Sequence, residues 1–538
     1  MDDPKHHRAN RGIFGVRQSK KRPMMFSFTP VRGDEWPTSS DDSDQDFDIN
    51  NCSKANYSDD GSDSTKHLKK GKQQKRKKSK KSKKERKTQS RKLKIKRRKV
   101  QSSSGDDGEP ETTRHDDTSD KTSWSHLPTL ILQKIFYYGV ADGGAVPFLL
   151  RMSKVSRTWR DVATRPKLWK KVNLDSSTVK VKESKRFTGL TWLINNRFSK
   201  LENLNICNWS KLNQSTFENI VKECPSLKRL VLSGCIKLGS SSLEQITNGL
   251  SNLEALDISS ITLPGKTLNP SGLSRFLEVR GGALQELNLS NNKISSWPGV
   301  FSPILKHENS MPHLRHLDLS NCLTFSSSLT VFPVESFQSA CPNLEVLSLA
   351  GCDVVGSKVE QDLKESSCGF PRLEQLSFPV SSQVQRSSSL QQDLVQRILK
   401  TSVNLQLLDI RGRTSFTPEF AQNLPCTGVE YLYIGNCDET IIPLCTKWGH
   451  SLKTLHMPDI SMKGDVTIAS VLPSMTKLEN LDLAGTDIDD SVVRLVFDSC
   501  PSLDEINLTR CRNIQRGIKQ TFKGQRLKEL AEKMTLTS

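Results

Sequence analysis

From about Leu201 to Ile514 the apolar residues recur at a fixed long period. The segments LENLNICNW, LKRLVLSGCIKL, LEALDISSITL, LQELNLSNNKI, LRHLDLSNCLTF, LEVLSLAGCDVV, LEQLSFPV, LQLLDIRGRTSF, VEYLYIGNCDET, LKTLHMPDI, LENLDLAGTDI and LDEINLTRCRNI align without gaps at their starts. Each is apolar at its first, fourth and sixth places, and many carry Cys or Asn at the ninth. Their first residues lie 23 to 32 residues apart. A period of that size marks units that cannot bury their own apolar face and must stack on one another.

The short alternation inside each segment predicts a strand. In Leu230-Val231-Leu232 the leucines point one way and the valine the other. The residues between, such as STFENIVKECPSL, SSLEQITNGLSNL and DSVVRLVFDSCPSL, read as return helices on the outside. The period and the pattern are those of a leucine-rich repeat. The fold class is therefore α/β: a curved solenoid of about 12 units over 201–514, with a parallel strand ladder inside and helices outside. The fifth-place residues, among them Asp257, Asn288, Asp318, Asp409, Tyr433, His456 and Asp482, are expected to face out of the ladder on the concave side. A residue such as Asn288 should then tolerate truncation to alanine. Most of that row is Asp or Asn, common spellings of the repeat. Arg411, Arg413, Tyr431 and Tyr433 depart from the stereotype. Aromatic and arginine side chains dominate many interfaces, so these four are the substrate-binding candidates.

Upstream of the repeats, order is expected from about Trp124. SWSHLPTLILQKIFYYG predicts a helix with Pro128 at its first position and i, i+4 pairs Leu132–Phe136 and Ile131–Ile135. GVADGGAVP should end it. PFLLRMSKVSRTWRDVAT predicts a second helix with one apolar stripe: Phe148, Met152, Val155, Trp159 and Val162. PKLWKKV closes a module of 124–172. A linker helix follows within 173–200 (KRFTGLTWLINNRFSK), expected to pack that module on the first repeat. Residues 515–538 predict a segment that caps the open end of the solenoid.

Residues 1–120 are polar and poor in aliphatic side chains, so they are read as disordered. Serine-rich acidic stretches, in which Ser39, Ser43 and Ser104 each have an acid three residues on, flank a basic tract at 69–99. That tract holds 20 Lys or Arg and one acid, a net +19 out of +20 for the 538-residue chain. The rest of the protein is close to neutral. Dense clusters of this kind serve as nuclear import signals, here Lys75, Arg76, Lys77, Lys78, Lys80, Lys81, Lys83 and Lys84. Weak nucleic-acid contact through phosphate neutralisation and a plain charged linker both remain open. The tract has no aromatic residue on which a base could stack.

The chemistry of a catalytic site is missing from the sequence. No Gly-rich phosphate loop, G-x-S-x-G or H-E-x-x-H occurs. The 13 cysteines include no C-x-x-C pair, and the repeat explains most of them: Cys235, Cys322, Cys352, Cys437 and Cys511 occupy the ninth place. Their odd number and the lack of a signal peptide argue for a reducing compartment. No run of 18 apolar residues suggests a membrane span. Neither a metal nor a cofactor is expected.

LPTLILQKIF, VSRTWRDVAT and PKLWKKV together resemble the F-box. Leu-Pro, an Ile-Phe pair seven residues on, a Val-x-x-x-Trp and a closing Leu-Trp carry the resemblance. Gly139 stands where that family often has leucine, and Ser156 where it often has cysteine. An F-box followed by cysteine-bearing leucine-rich repeats resembles the F-box/LRR family of ubiquitin-ligase substrate receptors. The resemblance implies a non-catalytic subunit whose F-box docks on a Skp-type adaptor. That adaptor bridges to a cullin scaffold and its RING subunit, while the repeats hold a protein substrate for ubiquitination and proteasomal degradation. The adaptor-binding residues it implies are Leu127, Pro128, Ile131, Ile135, Phe136 and Trp159. The alternative is a nuclear scaffold that binds RNA or chromatin through the basic tract and assembles proteins on its repeats. Localisation is expected in the nucleus, with the cytoplasm also open. Deleting 69–99 should shift a fluorescent fusion towards the cytoplasm; a deletion variant that stays fully nuclear refutes the import role.

Overall fold

Each repeat leaves only three residues extended before the chain turns, so its strand finds partners in neighbouring units rather than in a hairpin. The computed structural model describes residues 127–536 apart from 177–182, 239–240, 264–265, 295–296, 323–329, 353, 357–366, 380–388, 413–415, 436–440 and 461–467. The basic tract, the acidic serines, Arg413 and Cys437 lie outside the described residues. So does the expectation that 1–120 is disordered.

The strands are β1 (Lys171–Asn173), β2 (Asn203–Asn205), β3 (Arg229–Val231), β4 (Ala255–Asp257), β5 (Glu286–Asn288), β6 (His316–Asp318), β7 (Thr330–Phe332) and β8 (Val346–Ser348). They continue as β9 (Val354–Gly356), β10 (Gln375–Ser377), β11 (Leu407–Asp409), β12 (Tyr431–Tyr433), β13 (Thr454–His456), β14 (Asn480–Asp482), β15 (Glu505–Asn507) and β16 (Thr521–Lys523). All but β7 and β9 form one 14-stranded sheet, in which every strand but β7 and β9 follows its predecessor in chain order. Pairing is parallel from β1 to β15, and the final pair, β15 with β16, is antiparallel. β7 and β9 pair separately. Register is exact by repeat position. Leu230, Leu256, Leu287 and Leu317 are successive neighbours on the inner row, and all are buried.

Three devices recur among the described units. At the fifth place, a side-chain oxygen accepts from the backbone N–H two residues on. Asn205 takes Cys207 N (2.9 Å), Asp257 takes Ser259 N (2.8 Å), Asn288 takes Ser290 N (2.9 Å) and Asp318 takes Ser320 N (2.9 Å). Asp482 and Asn507 repeat the bond further along. This local Asx turn ends the strand. At the eighth place the backbone is left-handed: φ is 62° at Asn208, 58° at Asn291, 54° at Asn321 and 67° at Gly351. Only Gly and, next best, Asn or Asp adopt that conformation cheaply. Gly351 has a second reason, since a Cβ there would stand 2.1 Å from Asn321 Oδ1 in the preceding unit. At the ninth place a donor reaches the sixth-place carbonyl of the unit before. Cys235 Sγ donates to Ile206 O (3.3 Å), Cys322 to Leu289 O (3.2 Å) and Cys352 to Leu319 O (3.0 Å). Asn292 does the same to Ile258 O (2.7 Å), and its Oδ1 accepts from Ile261 N and Thr262 N.

The fifth-place row departs from expectation. Its residues do face the concave side, but most are covered: Asn288 is 5% exposed and Asp409 0%. Strands stand so close across the ladder that short side chains in the row shield one another, and each carboxamide or carboxylate folds back on its own turn. Burial has an electrostatic consequence. Asp257 and Asp318 are pushed up to about 6 by desolvation, against the pull of the Ser259 and Ser320 bonds.

The outer layer starts with three helices, α1 (Thr129–Gly143), α2 (Ala145–Met152) and α3 (Arg157–Ala163), and a 3-10 turn at Pro166–Trp169. Pro128 caps α1 from outside rather than occupying its first turn, and α1 runs on through the Gly-rich stretch to Gly143. The expected long second helix is two: the chain leaves α2 after Met152, and Ser156 opens α3 by accepting from Trp159 N at 3.2 Å. The turn leads straight into β1, which pairs with β2. The ladder therefore begins at Lys171, before the linker helix α4 (Glu183–Arg197). Aromatic contacts fuse the two parts: Trp169 meets Phe198 at 6.5 Å between centroids, and Phe187 meets Trp209 at 5.8 Å. Trp209 Nε1 donates to Leu174 O at 2.7 Å. At the far end, Phe522 on β16 covers Ile506, and the helix Gln525–Leu536 buries Leu527, Leu530 and Met534.

Two predictions follow from the burial of both rows. Leu287→Ala leaves a cavity in the inner row and should cost about 2–5 kcal/mol. Asn288→Ala strands the Ser290 N–H under cover and should cost about 1–3 kcal/mol; urea unfolding of both variants checks the order. The second concerns pH. The carboxyl of Asp257 ionises near 3.8 in an unfolded chain and near about 6 when folded. Stability from this group is full below the lower value and is lost as pH rises to the upper one. Asp257→Asn keeps the acceptor and removes the charge. Its melting temperature should gain on wild type between about pH 4 and about pH 7.5; a constant difference across that window contradicts the assignment.

Candidate functional site

Helix α1 is apolar on both sides. One stripe, Leu132 and Phe136, is wholly buried. Phe136 stands edge-on to Phe148 (centroids 5.8 Å) and to Trp159 (5.4 Å). Gly139 belongs to the same stripe: a Cβ on it would lie 2.4 Å from the Phe148 ring. That contact explains the glycine where a leucine was the reference. A further ring of the module's core, Trp169, is buried and donates from Nε1 to Ala163 O at 2.7 Å.

Phe136 is thus a core residue, and its expected place on a partner surface is corrected. Three helices this short have few other groups large enough to fill the space between them. Trp159 is half-buried and leans on the same core. Leu127 is half-buried and Pro128 exposed. The structure brings Ile131 and Ile135 together on the opposite stripe, which is open: Leu130 is 72% exposed, Ile131 46%, Ile135 41% and Tyr138 69%. Tyr137, edge-on to Tyr138, and Val155 from the turn before α3 are exposed too. Sequence reasoning missed Leu130, Tyr137, Tyr138 and Val155. The signal was there for the helix residues, because TLILQKIFYY is apolar around nearly its whole circumference. Such a helix needs cover on both sides. The continuous helical stripe expected to hold Val155 is broken where the chain leaves α2 after Met152.

The second surface is the concave ladder around β11 to β14. Arg411 forks onto Asp409, Nε to Oδ1 at 2.9 Å and Nη2 to Oδ2 at 2.7 Å. Burial opposes the guanidinium charge, but the fork more than offsets it, and the Arg411 pKa is raised. The guanidinium lies over the Tyr433 ring, 5.4 Å from its centroid. Tyr433 in turn meets His456, centroids 5.7 Å apart, and His456 Nε2 is 2.8 Å from Asp482 Oδ2. For Asp482, burial alone would raise the pKa; the His456 bond and charge and the Ala484 N–H bring it below the usual value. Of the four expected substrate-binding residues, Arg411 and Tyr433 are in direct contact, though Tyr433 is mostly covered. Tyr431 is half-exposed on the same strand, with its hydroxyl pKa raised by burial. Arg413 lies outside the described residues. His456 and Asp482 complete the cluster; the repeat gives their fifth-place position, but nothing in the sequence distinguishes them from the other members of the row.

The buried thiols are packing groups. Burial pushes the thiols of Cys224, Cys341 and Cys445 up to about 12 and that of Cys322 well above its ordinary value, so they stay protonated and unreactive at neutral pH. Among the described residues no three His, Cys, Asp or Glu side chains gather as metal ligands. No described helix is long and apolar enough to cross a membrane.

Comparison with known proteins agrees with this geometry. The F-box-like family matches residues 124–175, and the family of leucine-rich repeats in two copies matches 283–333. The putative F-box/LRR-repeat protein 23 of Arabidopsis thaliana is 24% identical over 263 residues. That match takes in 48% of this chain and 53% of the relative, so the chain spans about half of the relative's length. Among solved structures, the crystal structure of the Rad7 and Elc1 complex in yeast is similar with a TM-score of 0.38 at 16% identity. It covers 72% of this chain and 94% of the other. The TLR13–ssRNA13 complex is similar with a TM-score of 0.35 at 17% identity, covering 60% and 40%. A three-helix module that matches the F-box-like family and runs, through its own last residues, into a ladder of leucine-rich units gives this chain the architecture of an F-box followed by leucine-rich repeats.

Proposed function

We propose that the protein is the substrate-recognition subunit of a Skp–cullin–F-box type ubiquitin ligase. The observation that carries the reading is the open apolar stripe of α1, in a module whose other stripe already fills its core. Leu130, Ile131, Ile135 and Tyr138 present more apolar surface than a short exposed helix keeps in water without a partner. An adaptor of the Skp type is that partner, and it links the chain to a cullin and a RING subunit. The repeats hold the substrate, and catalysis by this chain is proximity: the chemistry belongs to the conjugating enzyme. Rigidity supports the role. The 3-10 turn that closes the F-box continues into the first rung of the ladder, and Trp169 and Phe198 meet across the join. A substrate on the ladder then keeps a fixed place relative to the adaptor. The basic tract 69–99 is proposed to bring the assembly to the nucleus.

Ile131→Ala with Ile135→Ala tests the reading, because both side chains are open and the core stripe is untouched. Each aliphatic contact buried by the adaptor is worth about 1.5–3 kcal/mol. The pair should weaken adaptor binding about a hundredfold or more, at 1.4 kcal/mol per tenfold, with an unchanged melting temperature. Phe136→Ala, by contrast, should lower the melting temperature, at a cost of about 3–5 kcal/mol. Co-precipitation of adaptor and cullin with the double variant decides: recovery equal to wild type overturns the proposal in favour of the scaffold reading.

A further inference from the structure

Between the three-helix module and the first repeat, two indole N–H groups act in series. β1 is the module's last element, yet its register with β2, Val172 opposite Leu204, makes it a repeat strand. Trp169 then stands at the first place, Val172 at the fourth, Asn173 at the fifth and Leu174 at the sixth. Trp169, Val172 and Leu174 are buried as an inner row should be. Asn173 Oδ1 accepts from Asp175 N at 3.0 Å, the turn that ends the later strands. Trp169 ties this rung to the module by donating from Nε1 to Ala163 O of α3 at 2.7 Å. Trp209 ties it to the ladder. It occupies the ninth place of the first unit, where later units carry Cys235, Cys322, Cys352 or Asn292, and it makes the same bond they make. Its Nε1 donates to Leu174 O, the sixth-place carbonyl of the rung before, at 2.7 Å.

Trp209 differs from those ninth-place residues in reach. A thiol fills only the gap between two units. The indole extends to the linker helix α4 as well, where Phe187 stands edge-on to it, 5.8 Å between centroids and 88° between planes. One buried side chain thus holds the module's last rung, the first repeat and the linker helix. The other links across the join constrain it less. Trp169 meets Phe198, but its one N–H is committed to α3. Lys170 Nζ is 2.5 Å from Glu202, yet both side chains are part-exposed, and such a pair contributes little in water. The bonds from Leu174 N to Asn205 O (2.7 Å) and from Ser176 N to Cys207 O (3.2 Å) extend the ladder by one rung. They run within the sheet, where the twist between neighbouring strands is soft and ranges over about 10–35°. A hydrogen bond and a ring contact off the sheet resist that rotation.

We propose that Trp209 is a positioning residue for ubiquitin transfer. It belongs to neither candidate surface; it fixes the angle between the module, where the adaptor docks, and the ladder, where the substrate is held. Nine strand spacings separate β1 from β12, about 40 Å along the ladder. A rotation of about 10° at the join, small within the range of strand twists, carries that part of the ladder through several ångströms. Catalysis by proximity is sensitive to less, since a misplacement of about 1 Å can cost about a hundredfold. The proposal deepens the receptor reading, on which it rests, by naming the side chain that sets the geometry of transfer.

The test uses the full-length chain assembled with adaptor, cullin and RING subunit, and supplied with activating enzyme, conjugating enzyme and ubiquitin. The chain's own exposed ladder lysines, Lys222 and Lys306 among them, serve as acceptors at fixed places. Trp209→Phe keeps a ring beside Phe187 and removes the donor to Leu174 O. Amide exchange at Leu174 and Ser176 should quicken about tenfold in this variant, the effect of one buried hydrogen bond on a local opening. With adaptor recovery unchanged, modification of the preferred ladder lysine should fall about tenfold and spread to lysines that wild type leaves free. Leu481→Ala, a truncation of a buried residue at the far end, should lower the melting temperature at least as much. It should nevertheless keep wild-type exchange at the join and the wild-type order of modified lysines, which separates positioning from loss of stability. An unchanged lysine pattern in Trp209→Phe overturns the proposal. So does unchanged exchange at Leu174 and Ser176, an equal redistribution in Leu481→Ala, or a wild-type chain with no preferred ladder lysine. Adaptor recovery by wild type reads the receptor role separately. Its failure removes that role and this proposal with it, whereas recovery with an unchanged lysine pattern removes only the role of Trp209.

Discussion

Each unit of the ladder must turn out of a three-residue strand without leaving backbone groups unpaired beneath the next unit. Most of the structure follows from how this is done. The fifth-place oxygen takes the seventh-place N–H, the eighth residue goes left-handed, and the ninth reaches back to the sixth-place carbonyl of its neighbour. The first two features are local and shape the unit. The third crosses between units, and with the ladder itself it sets their spacing. Inner leucines fill whatever volume that spacing leaves. A cysteine at the ninth place is small enough to be enclosed, yet still donates a weak bond. Asn292 does the same work with four bonds in place of one.

The same closeness makes the concave face chemically mixed. Short fifth-place side chains sink between the rungs, and their carboxylates pay for it in raised pKa values. Where the row changes to Tyr433 and His456, rings replace carboxylates. Asp409, fully buried, holds Arg411, and Asp482 pairs with His456. An arginine on a buried carboxylate loses little freedom when it binds something else, which is how a preorganised contact saves affinity.

At the other end, α1 solves a different problem. The small module has one large-ring core, built from Phe136, Phe148 and Trp159, and it cannot enclose both apolar stripes of its first helix. The open stripe is the consequence. Because the module's last turn passes directly into β1, that stripe and the ladder belong to one body.

The amino-acid sequence by itself determined the repeat, its register and its inward rows, because a period of 23 to 32 residues with apolar first, fourth and sixth places has one economical way to bury itself. It also marked the F-box-like module, since the Leu-Pro, Ile-Phe, Val-x-x-x-Trp and Leu-Trp elements are local. It misjudged what depends on distance between chain segments. Phe136 looked like a contact and is core, because only the packing of three helices shows which stripe of an all-round apolar helix faces in. Asn288 looked exposed and is covered, because the shield is the neighbouring unit, some 30 residues away. The pairing of Arg411 with Tyr433, and of His456 with Asp482, arises between neighbouring rungs of the ladder, over β11 to β14. Period and local motif are written along the chain; which side chains meet across rungs is decided by the stacking, and that is where both candidate surfaces take their form.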